Sequence, residues 1–82
     1  MNKRAAFDLI SQMAVECVKN NITFSLVSDK KVRLFDEPKE LGSAGFFDSG
    51  TKLLAVATKH PMKFWFQILL HEYNHMRQFI ER

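Results

Sequence analysis

The sequence predicts an α+β domain made of an N-terminal helix, a small antiparallel sheet of about three to four strands, and a C-terminal helix. Three observations carry that expectation. Apolar residues between Lys3 and Lys19 recur at intervals of three and four; residues 22–28, 32–36 and 46–58 hold strand-forming runs around turn chemistry; residues 62–82 form an amphipathic pattern without Gly or Pro.

The first helix is read from Ala6, Phe7, Ile10, Met13, Ala14, Cys17 and Val18, which fall on one face at helical spacing. Its end is marked by Asn20 and Asn21, because Asn tolerates the left-handed conformation that closes helices. Cys17 lies on the apolar stripe and reads as a small core residue.

In 22–28, Ile22, Phe24 and Leu26 alternate with Thr23, Ser25 and Val27, the period of a half-buried strand. Asp29, Lys30 and Lys31 form a turn into a shorter strand, 32–36, expected to pair with the first as a hairpin. Pro38, Gly42 and Gly45 make 37–45 a loop. Phe46 and Phe47 then lead into the "DSGT" turn, 48–51, and Leu53 to Thr58 leads out as the second arm of a hairpin. On the last helix Trp65, Ile68, Leu69, Met76, Phe79 and Ile80 fall on one stripe, with Lys63, Asn74, Arg77 and Glu81 opposite. Phe64, Trp65 and Phe66 are consecutive and cannot all face one core, so at least one ring is expected outside it.

The 82 residues, 46% hydrophobic and 26% charged, specify one small globular domain, with eight Phe, one Trp and one Tyr supplying much of its apolar area. The single cysteine rules out an intrachain disulfide framework, and Asp8, Gln12 and Glu16 interrupt any signal-peptide core, so a cytoplasmic location is expected. No run approaches the length of a membrane span, and no membrane partner is expected. A net charge of +3 with scattered basic pairs gives no clustered face for phosphates, so nucleic acid is not an expected partner.

Chemistry concentrates in "LLHEYNHMRQ", 69–78. His71 and His75, four apart on a helix, stack one turn above the other and project to the same side, the bite needed for one small cation such as Zn²⁺. Glu72 lies about 100° further around, beside the metal without having to bind it, where a carboxylate serves as general base toward a zinc-activated water.

The stretch His71-Glu72-Tyr73-Asn74-His75 resembles the His-Glu-x-x-His hallmark of the zincin metallopeptidases, and the hairpin "GFFDSGTKLLAVATK" running into that helix is similar to the compact minimal zincins of phage or bacterial type. The resemblance implies a zincin-like fold over 1–82, His71 and His75 as zinc ligands, and Glu72 as catalytic base and acid in peptide-bond hydrolysis. It also implies that the strand 53–58 is a sheet edge that pairs with an extended peptide or protein substrate. Such enzymes carry a third protein ligand downstream. The metzincin-like position falls on Glu81, which an uninterrupted helix turns to the solvent side, and the position where those enzymes place Gly holds Gln78, which shares the histidine face and reads as a substrate or support contact. His60 and Asp48 are the upstream alternatives, with capping and turn roles competing for each. The expectation is therefore either the N-terminal part of a longer protein or a reduced domain with an incomplete metal site. The alternative function is a non-catalytic protein-interaction module on a zincin-like scaffold, engaging a partner chain, a second copy or further C-terminal sequence.

Overall fold

The computed structural model describes residues 2–33 and 42–82, in which two helices and a three-stranded mixed sheet follow the order α1 (Lys3–Lys19), β1 (Thr23–Val27), β2 (Gly45–Asp48), β3 (Leu53–Ala57) and α2 (Met62–Glu81). The domain is α+β, as the sequence predicts. The strand expected at 32–36 and the loop expected at 37–45 lie partly outside the described residues.

Helix α1 begins at Asn2, whose side-chain oxygen accepts from the Ala5 amide at 2.8 Å, a standard N-cap that satisfies one orphan donor. It ends where Asn21 adopts φ 57°, and the Ile22 amide reaches back to the Cys17 carbonyl at 2.8 Å. Ala6, Ile10, Met13 and Cys17 are buried. Phe7 and Val18, read as stripe residues, are instead 52% and 76% exposed, because the core wraps only the narrower arc centred on Ile10 and Cys17.

The sheet order is β1-β3-β2, with β1 parallel to β3 and β2 antiparallel to it. The observed sheet departs from the expected one. The sheet is mixed rather than antiparallel, and β1 pairs with β3 in register from Thr23↔Leu53 to Val27↔Ala57, while residues 34–36 of the strand expected to pair with β1 lie outside the described residues. Val32 makes only an isolated antiparallel bridge, to Ser43. The reason lies in β3: Leu54 and Val56 join the helix-side core while Ala55 and Ala57 pack with Val32 and Phe46 on the other face. A strand apolar on both faces belongs in the middle of a sheet. The strand 53–58, expected at an edge, is therefore interior. Leu26, expected to be inward, is also exposed.

The expected β2–β3 hairpin is present, with Asp48 opposite Leu53. The Asp48 carboxylate accepts from the Thr51 hydroxyl at 2.5 Å, the Thr51 amide at 3.2 Å and the Gly50 amide at 3.4 Å. The Thr51 hydroxyl bond is the main cause holding its pKa below the ordinary value.

Helix α1 packs on β1, and α2 packs on β2 and β3, both against the Leu54/Val56 face. The contacts of their ends show that they run in the same direction. Cys17 Sγ lies 3.5 Å from Met76 Sδ, and Arg77 bonds Glu16 at 3.0 Å, while Asn2 and Lys3 border one cavity with Met62 and Lys63. Arg77, placed on the solvent side by helical projection, thus clips the two helices together at their C-terminal ends. Burial, and secondarily the Glu16 charge, pushes the Cys17 thiol up to about 11, which suits its packing role. Trp65 and Phe66 are buried, and Phe64 is the ring left outside, half exposed.

Gly45 fixes how closely α2 approaches the sheet. A Cβ there would meet Ile68 Cγ2 at 2.7 Å and the Ala55 carbonyl at 3.2 Å. Gly45→Ala is expected to destabilise the domain by about 1–3 kcal/mol through overpacking, read as a lower midpoint in urea unfolding.

Candidate metal centre

His71 and His75 stand on consecutive turns of α2, both exposed, with the helix anchored beneath them by Leu69 and Met76, the latter 0% exposed. Their Nε2 atoms converge to 3.2 Å, with ring centroids 4.8 Å apart and planes at 84°. That separation can be set against coordination chemistry. Two zinc–imidazole bonds of about 2.0–2.1 Å meeting at a tetrahedral angle hold their nitrogens about 3.3–3.4 Å apart. The pair is preset to within a small adjustment of a chelate, and without a cation one ring donates its N–H to the other's lone pair.

Glu72 is half buried, and its carboxylate has no hydrogen-bond or ion-pair partner among the described residues. It is available as a proton acceptor. Further along the helix, His75, Gln78, Phe79 and Arg82 line a shallow depression of about 310 Å³ with Phe47 and Ser49 of the β2–β3 hairpin. Phe47 and Phe79 form its aromatic wall, with centroids 5.7 Å apart, and the Arg82 guanidinium lies 5.0 Å over Phe79. Sequence reasoning put Gln78 on the histidine face, and the structure brings it beside His75. It missed Ser49 and Arg82, and it read Phe47 and Phe79 only as strand and core residues; their meeting depends on long-range packing that no local pattern encodes.

The other ligand candidates go elsewhere. Glu81 accepts from Arg77 at 2.6 Å on the far side of α2. His60 Nε2–H donates to the Lys30 carbonyl at 2.7 Å, and its ring packs on Phe64 at 5.3 Å between centroids. Asp48 is committed to its turn. Among the described residues no group of three His, Cys, Asp or Glu side chains forms a metal cage. Of the candidate ligands, the described residues bring together two, His71 and His75. No described helix is long and apolar enough to cross a membrane. Comparison of the chain with protein-family models, with curated proteins and with solved structures gives no match.

Proposed function

We propose that the His71–His75 face of α2 is the zinc-binding centre of a metallopeptidase of zincin type, with Glu72 as its general base. The observation that carries the reading is the 3.2 Å convergence of the two Nε2 atoms. Two imidazole nitrogens at chelate separation on one helix suit Zn²⁺ by ligand type and by geometry. A zinc ion in such a site supplies Lewis acidity, making a water acidic near neutral pH and polarising a carbonyl. The chain's own residues do the rest. Glu72 accepts the proton of the attacking water and returns it to the leaving amine, with no competing partner among the described residues to hold its carboxylate.

The substrate in this reading is a peptide lying along β2, the outer strand on the α2 side, since β3 is interior. One of its side chains occupies the depression bounded by Phe47, His75, Gln78 and Phe79. The location in this reading is the cytoplasm, in keeping with a single buried thiol.

The test is titration of the apo protein with Zn²⁺, or with Co²⁺ read by its visible spectrum. Uptake of one equivalent at micromolar metal, lost in His71→Ala and in His75→Ala, is expected. A wild-type protein that takes up no metal in that range sinks the proposal. A second reading, a non-catalytic interaction module on the same scaffold, is favoured by one observation: only two ligands are gathered among the described residues. Weak zinc uptake, no peptide hydrolysis and association with a partner or a second copy are its signature, and a strict monomer that binds one zinc tightly rules it out.

A further inference from the structure

We infer that the cavity between the N-terminal halves of α1 and α2 is a binding site for an aliphatic carboxylate of medium chain length. The cavity measures about 490 Å³ and is lined by Ala6, Met62, Phe66 and Leu70 as its floor, with Lys3, Lys63, Asn2 and Gln67 around it. That volume lies within the roughly 300–1,000 Å³ typical of small-molecule pockets. The site is separate from the histidine pair, because Phe66 projects about 140–180° around α2 from His71 and His75.

Charge decides what the cavity takes. The two helices run in the same direction, so both positive dipole ends meet at this one place. Neither first turn carries an acidic residue, and α2 starts at Pro61 with no side-chain cap. Two lysine ammonium groups add to the same sign, and among the described residues no acidic side chain lines the cavity to offset them. Asn2 caps one α1 amide, and the partial positive charge of the two parallel N-termini that remains favours an anion. An apolar tail replaces water over Ala6, Phe66 and Leu70, while the carboxylate meets Lys3, Lys63 and the Gln67 amide. A neutral amphiphile satisfies only the floor, and a cationic one meets repulsion at the rim.

The experiment is a titration of the folded protein with sodium decanoate below its micellar concentration, followed by NMR and by the emission of Trp65. That ring lies 6.5 Å from the pocket-lining Phe66 ring, centroid to centroid, and is the only Trp in the chain. Saturable shifts centred on Ala6, Met62, Phe66 and Leu70 are expected, with decyltrimethylammonium and decanol binding more weakly. The double variant Lys3→Glu, Lys63→Glu is expected to weaken decanoate by about tenfold or more. Glutamate in a first helical turn suits the helix dipole, so the variant keeps its fold, which circular dichroism checks. Equal binding of decanoate and the trimethylammonium analogue, shifts centred on the exposed Phe7 and Phe64, or unchanged decanoate affinity in the folded double variant each overturn the proposal. Metal uptake by His71 and His75 is unaffected in every case.

Discussion

Glu72→Gln is expected to leave zinc uptake unchanged and to lower peptide hydrolysis by about 10²–10⁴-fold, the usual worth of a positioned general base. The amide keeps the size and most of the hydrogen-bonding shape of the carboxylate but accepts no proton at neutral pH. Glu72 is half buried and unpaired among the described residues, so the substitution breaks no ion pair and creates no buried orphan charge. The thermal midpoint should therefore move little, and the loss should fall on kcat with KM nearly constant, since the proton transfer belongs to the transition state. The measurement is hydrolysis of a quenched fluorescent peptide library by zinc-loaded wild type and variant, alongside metal content. Hydrolysis that persists undiminished in Glu72→Gln removes Glu72 from the mechanism. Activity lost together with zinc would instead assign Glu72 to holding the site.

The helices were legible because their signals are local. Ile10, Met13 and Cys17 mark a 3.6-residue period in α1, and Asn21 takes the left-handed conformation that Asn at such a position implies. The histidine bite was legible for the same reason, since a spacing of four on a helix fixes which side chains converge. Strand partners were not, because pairing is decided over long separations. The alternation in 22–28 describes a half-buried strand equally well beside β3 or beside the next segment in the chain. One clue was present: Leu54 to Ala57 is continuously apolar, the pattern of a strand covered on both faces, and the hairpin reading of 46–58 passed over it. The depression beside His75 was the least legible feature. It exists because Gly45 lets Ile68, and with it the histidine face, settle against β2, so that Phe47 reaches Phe79.

Met76→Ala is the substitution expected to damage the fold most while touching no candidate ligand. Met76 is fully buried, next in sequence to His75, and its sulfur meets the buried Cys17 thiol of α1 at 3.5 Å. Truncating a buried Met costs about 2–5 kcal/mol, from lost transfer energy and the cavity left behind. A domain of this length holds about 4–12 kcal/mol in all, at the ordinary stability per residue. The variant should therefore show a large drop in urea midpoint, with a fraction unfolded in buffer if the wild type lies at the low end. Met76→Leu, which conserves volume, should cost less than about 1.5 kcal/mol. The pair also tests how the site is held. If Met76 anchors the turn that carries His75, Met76→Ala weakens zinc uptake even where the protein is still folded, whereas Met76→Leu does not. Equal zinc affinity in the two folded variants would mean that the chelate is set by the helix backbone alone, without support from the α1 contact.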